Sequence, residues 1–239
     1  PVDPTLLENV KALMAKWISW YSYLKMPEIH VPTLQESVPS QGRVASFLSG
    51  GIDSFSTLLH HETDSALEPI DDCLTVFGFD FALFQEEEFK AFYENLKNVP
   101  KHFQKEHILV KTNVRRTAWK AMDWGYLSHG AALGTIGLIF EKRFKSVLIG
   151  STGGEKSRNP RGSHVETDHL MSTSQTSFTH DGAEYTRVQK TIKVFESDFL
   201  MKHLKVCYRE KKEMNCSKCS KCLRTLATFD ILNGLDKCK

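Results

Sequence analysis

Residues 44–54 constrain this chain more than any other stretch. The apolar run Val44-Ala45-Ser46-Phe47-Leu48 reads as a buried strand, Ser49-Gly50-Gly51-Ile52-Asp53-Ser54 as a tight glycine turn, and Phe55 to His61 as a helix. A strand, a turn and a helix N-terminus in that order make an anion cradle. The glycines let the backbone approach a phosphate, and the amides of the first helical turn, Ile52 included, point at it. Ser49 and Ser54 add hydroxyls, and Asp53 is placed either to cap the helix or to hold the Mg²⁺ that accompanies a nucleotide. Glycine-rich turns also occur as plain turn chemistry; the full string in this context favours the ligand reading. No Gly-Lys-Ser/Thr follows, so this is not a Walker A loop.

Downstream the pattern alternates. Strands are expected at 44–48, 73–77, 107–110 and 147–149, and helices at 53–62, 85–105 and within 119–140, where Gly130-Ala131-Ala132-Leu133-Gly134 allows close packing on a sheet. This predicts an α/β fold, a parallel sheet with helices on both faces. Ligands of such sheets bind beyond the carboxyl ends of the strands, which brings together 49–54, 78–81, 111–116 and 150–169. Phe79 and Gly150 thereby become candidate nucleotide-binding residues. Residues 1–42 read as an N-terminal helix, opened by Asp3-Pro4 and carrying Leu6, Leu7, Val10, Leu13, Met14 and Trp17 at helical spacing, plus a proline-containing linker. The expected organisation is 1–42, a main domain over 43–200, and a C-terminal segment over 201–239.

The loop 153–164 is polar, basic and glycine-rich, as functional lids often are. Lys156 and Arg158 are candidate catalytic cations and Arg161 a nucleotide-binding one, each able to neutralise phosphate or departing pyrophosphate; the alternative is solvated surface charge. His164, Asp168 and His169 follow as candidate substrate contacts, Asp168 foremost, with turn capping as its alternative role. Arg187 and Lys190 lie on a later helix-like stretch facing the same mouth.

Four of the six cysteines, Cys207, Cys216, Cys219 and Cys222, cluster at x8, x2 and x2 spacing. Such spacing suits a closed, structural four-thiolate Zn²⁺ site, with chance clustering, redox chemistry and an iron–sulfur cluster as rivals. Cys73 sits in an expected core strand and Cys238 lies apart. Local clustering fits a reducing compartment better than a disulfide framework. A net charge of +2 gives no strong pull toward polyanions, so nucleic-acid binding is not expected from composition. No apolar run spans a bilayer, and a cytoplasmic location is the expectation. A homodimer is the expected assembly.

The string Ser49-Gly50-Gly51-Ile52-Asp53-Ser54 resembles the pyrophosphate loop of the N-type ATP pyrophosphatases. With the cysteine cluster, the chain is similar over residues 43–225 to the 7-cyano-7-deazaguanine synthase family. The resemblance implies an adenine nucleotide alpha hydrolase-like, Rossmann-like fold, ATP on Ser49, Gly50, Gly51, Asp53 and Ser54, and zinc on the four cysteines. It implies a ligase that releases pyrophosphate, adenylates a carboxylate or amide oxygen, and admits ammonia or a similar nucleophile. Two segments depart from the family: Phe77-Gly78-Phe79-Asp80-Phe81 replaces an aromatic-Gly-Gln segment, and of a Gly-Tyr-Pro-Asp-Cys segment only Asp168 has a counterpart. An altered acceptor pocket is therefore expected. A tRNA- or small-molecule-thiolating enzyme and a non-catalytic ATP sensor are the alternatives.

Overall fold

The computed structural model describes residues 1–153, 159–209 and 214–237; Lys156, Arg158 and Cys238 fall outside the described residues. Five strands, β1 (Arg43–Phe47), β2 (Asp72–Phe77), β3 (Glu106–Lys111), β4 (Phe144–Gly150) and β5 (Ser177–Asp181), form one all-parallel sheet in the order β3-β2-β1-β4-β5. The four expected strands are present. The fifth was not anticipated, because Ser177-Phe178-Thr179-His180-Asp181 carries a single large apolar residue. It pairs with β4 in register, Val147 opposite Phe178 and Gly150 opposite Asp181.

Side-chain alternation along the strands builds two apolar layers. Val44, Leu48, Cys73, Phe77 and Leu148 pack on one face against α2 (Ile52–Thr63), α3 (Glu86–Leu96), α4 (Asn98–His102), α6 (Arg187–Phe195), α7 (Asp198–His203) and α8 (Ser220–Ile231). Ala45, Phe47, Leu74, Val147 and Phe178 pack on the other, against α5 (His129–Ile139). The small residues of α5 permit this contact. A Cβ on Gly137 would lie 2.6 Å from Phe178 Cζ, and one on Gly134 would lie 1.9 Å from Met171 Sδ.

The single helix expected over 85–105 is two helices, broken at Lys97. Pro100 is the reason: it has no N–H for the Leu96 carbonyl, and its ring crowds that oxygen. The N-terminal helix α1 (Pro4–Trp20) starts where its Asp-Pro signal places it. Asp3 caps Leu6 N at 3.0 Å and also accepts from Ser37 N at 2.9 Å and from Ser174 Oγ at 2.7 Å. Burial alone would raise the Asp3 pKa; the hydrogen bonds outweigh it and bring the carboxyl to about 2. So α1 and the following linker are fastened to the body of the fold.

At the amino ends of the strands, fully buried Asp72 accepts from Arg43 Nε at 2.5 Å and from Arg143 Nη2 at 2.7 Å. Buried charge is tolerated there because both carboxylate oxygens are paired. At the carboxyl ends the order reverses between β1 and β4, opening a crevice between the loops that follow them. Among the described residues no helix is long and apolar enough to cross a membrane.

Candidate functional site

The turn after β1 forms the floor of that crevice. Gly50 adopts φ +74°, the left-handed region, and a Cβ there would lie 3.2 Å from Phe92 Cε2. Only glycine meets both demands without strain. Gly51 is the N-cap of α2 and offers no side chain, so of the two roles open to Asp53 capping is not the one it takes. Asp53 sits in the first turn, and its Oδ1 accepts from Arg187 Nη1 at 2.6 Å. The serines fasten the turn: Ser54 Oγ donates to Gly51 O at 3.1 Å and accepts from Ser49 N at 3.3 Å. The amides of Ile52, Asp53 and Ser54 open α2 and have no intrahelical acceptor.

The turn borders a cavity of about 150 Å³. Ser49, Gly51, Ile52, Asp53 and Phe79 line it, as their positions in the sequence suggested. Gly50 and Ser54 lie behind the wall. Gly150 comes so close to α2 that a Cβ on it would sit 3.0 Å from the Asp53 carbonyl group. The segment 111–116 contributes at one remove: Arg115 Nη1 donates to Phe79 O at 2.6 Å while its guanidinium covers Trp124 at 4.4 Å. The rest of the lining includes Asp80, His129, Arg187, Lys205, Tyr208 and Lys221. Burial pushes the His129 pKa down, against the pull of Asp80 and Asp168, which favours the neutral ring.

Arg187 is delivered by the first turn of α6, which Thr186 and Gln189 close with a reciprocal capping box. One turn on, Lys190 is buried rather than at the mouth, and its Nζ donates to Ser151 O at 2.6 Å. Burial lowers its pKa, opposed by Asp53 and Asp181. Lys205, Tyr208 and Lys221 were not foreseen as site residues. Their only signal was proximity to the cysteines, and Lys221 shares its segment with Lys218 and Arg224, which do not line this cavity.

The three expected substrate residues do not line the cavity. Asp168 is fully buried and engaged internally: it accepts from Ser163 Oγ at 2.7 Å and His164 N at 3.1 Å, and His180 Nδ1 lies 2.7 Å away. His164 is buried with its ring edge-on to Trp20 at 5.0 Å. His169 is exposed, with Nδ1 3.3 Å from Val165 O. Arg161 is exposed beside a separate void of about 20 Å³ that it shares with His164 and His180. The loop thus holds a buried polar network where its composition suggested substrate contacts.

Cys207, Cys216, Cys219 and Cys222 converge, with all four Sγ atoms within 4.8 Å of one another. Sulfurs at about 2.3 Å from a tetrahedral zinc stand about 3.8 Å apart. Here Cys207 and Cys219 are 3.8 Å apart, Cys216 and Cys222 4.0 Å, and Cys219 and Cys222 3.4 Å. Cys219 N donates to Cys216 Sγ at 3.3 Å, orienting that sulfur. The donor set and its spacing fit a metal such as zinc. Cys73 is instead buried in the core, and burial pushes its thiol up to about 12.

Comparison with protein families, curated proteins and solved structures gives no match to this chain.

Proposed function

We propose that the chain binds ATP with Mg²⁺ in the crevice and cleaves it to AMP and pyrophosphate. It would thereby adenylate a carboxylate or amide oxygen for attack by ammonia or a similar nucleophile. The observation that carries this reading is the open amide turn at the start of α2, facing a cavity that is also lined by Arg187, Lys205 and Lys221. Oriented amides and cations around one crevice suit a polyphosphate better than a neutral ligand. The strand order is that of doubly wound, Rossmann-like nucleotide-binding sheets, and the crevice lies at its switch point. Resemblance of residues 49–54 to the pyrophosphate loop of N-type ATP pyrophosphatases supports the same conclusion.

In this reading the turn amides and Ser49 hold phosphate oxygens, and Arg187 neutralises charge that develops as pyrophosphate departs. Asp53 orients Arg187 through one oxygen and has the other for Mg²⁺, directly or through water. Mg²⁺ would supply charge neutralisation on the phosphates. Phe79 offers an aromatic wall to the ligand. A metal such as zinc on the four cysteines would be structural, since four thiolates leave no open position. The thiolating alternative needs an accessible nucleophilic sulfur outside the cluster; Cys73 in the core does not provide one, and Cys238 lies outside the described residues.

The test is product analysis of α-labelled ATP with metal-loaded protein and Mg²⁺, with 7-carboxy-7-deazaguanine plus ammonia in one arm and a metabolite extract in another. AMP that forms only with an acceptor, and disappears in Asp53→Ala, is the expected result. ADP as product refutes the adenylation; ATP binding without turnover leaves the sensor.

A further inference from the structure

The cysteine cluster and the cavity share a wall. Cys207 lines the cavity beside Lys205 and Tyr208, and Lys221 reaches it from between Cys219 and Cys222. Lys205 N donates to Gly50 O at 2.8 Å, so the carbonyl of the left-handed glycine is held by the cysteine segment. That bond fixes the peptide plane from which the turn presents its amides.

Asn215 fastens the backbone that makes this contact. Asn215 Oδ1 accepts from Val206 N at 2.9 Å and Cys207 N at 3.2 Å, and its Nδ2 donates to Leu204 O at 2.8 Å. Asn215 immediately precedes Cys216, a member of the same cluster as Cys207. Lys205 Nζ adds a bond to Met214 O at 2.8 Å. Closing the four sulfurs on a metal therefore draws 204–207 and 214–216 together, and with them the contact on Gly50.

Resting on the ATP reading above, we infer that metal occupancy of the four cysteines and binding of a polyphosphate at the glycine turn are thermodynamically linked, with Asn215 as the positioning residue that carries the linkage. Linkage is reciprocal: what metal does for the anion, the anion does for the metal. The metal need not touch the ligand, because it acts through the position of Lys205 and the Gly50 carbonyl.

The test uses the intact metal-loaded protein. Metal transfer to a chromophoric chelator is measured with and without saturating Mg²⁺-ATP, and with pyrophosphate as the second probe, alongside direct calorimetric binding of each. ATP is expected to tighten metal retention roughly tenfold, within the range usual for coupled sites, and to slow hydrogen exchange at the Lys205 amide. Asn215→Ala should bind one metal but show little tightening. Asn215→Asp, which keeps the acceptor oxygens and loses the Leu204 bond, should retain part of it and serves if the alanine variant does not fold. ATP that binds without altering metal retention overturns the linkage, and full coupling in either Asn215 variant overturns Asn215 as its carrier; both results leave the ATP site standing. Failure of metal-loaded protein to bind ATP or pyrophosphate overturns the ATP reading as well.

Discussion

His107 gives a stability prediction whose sign and size come from one hydrogen bond. Thr75 Oγ1 donates to Leu48 O at 2.9 Å, so toward His107 Nε2, also 2.9 Å away, the hydroxyl can only accept. The ring is therefore the Nε2–H tautomer, stacked on Tyr93 at 5.1 Å, and Nδ1 is buried with no partner among the described residues. A proton added at Nδ1 has nothing to bond to, and burial brings the pKa down to about 4. In the unfolded chain the same group titrates near about 6.5. Because the folded value is the lower one, its contribution to stability is complete above that unfolded value and is lost as pH falls toward the folded one. By about pH 4.5 the loss approaches about 2.5 kcal/mol, reduced to about 2 kcal/mol by partial solvent screening. Urea denaturation of the protein and of His107→Leu at neutral pH and at about pH 4.5 isolates this amount, since the other carboxylates and histidines cancel in the difference. Parallel pH dependences, with a double difference under about 0.5 kcal/mol, would refute the tautomer argument.

His61 behaves with the opposite sign: Nδ1 lies 2.6 Å from Glu68 O and Nε2 3.1 Å from Asp181 Oδ1, so both nitrogens donate. Burial works against the charge, but Asp181, itself bonded to Thr57, and the Glu68 carbonyl raise the His61 pKa. Its stabilisation is full below the unfolded value and is lost as pH rises through the folded one. His61→Gln should cost about 3 kcal/mol at about pH 6, a deficit that shrinks toward alkaline pH when followed by denaturant melts. Gly50→Ala should lose about 1–2 kcal/mol of stability from the left-handed backbone alone, and pyrophosphate binding measured by calorimetry should fall with it. Cys73 should resist alkylation at mildly alkaline pH in the native protein and react only on unfolding, as read by mass spectrometry of its peptide; rapid native labelling would contradict its burial.

What could be read from the sequence was what local chemistry dictates. The strand, glycine turn and helix at 43–63 follow from adjacent residues, and the x2 spacings of the cysteines bring sulfurs together over a single turn of chain. β5 was illegible because an edge strand with one apolar core residue, Phe178, has no hydrophobic period to detect. The break at Lys97 is readable from Pro100, but Phe89, Phe92, Leu96 and Phe103 recur at helical spacing across it and make the segment read as one helix. Asp168 shows the harder limit. A buried network of Ser163, His164, Asp168 and His180 draws on the same short polar side chains as a substrate pocket, and only packing separates the two. Lys205 and Lys221 lie more than a hundred residues from the turn they face, so nothing local joined them to it.

The Asp72 cluster with Arg43 and Arg143 lies at the end of the sheet remote from the crevice. It bonds the first residues of β1 and β2 to the segment entering β4, so part of the strand alignment is secured by groups remote from the cavity. The loops at the opposite end therefore share the task of holding the sheet together and do not carry it alone. Outside its glycine turn, substitutions there disturb alignment less, which makes this end of the molecule the place where descendants of one scaffold would diverge in what they bind.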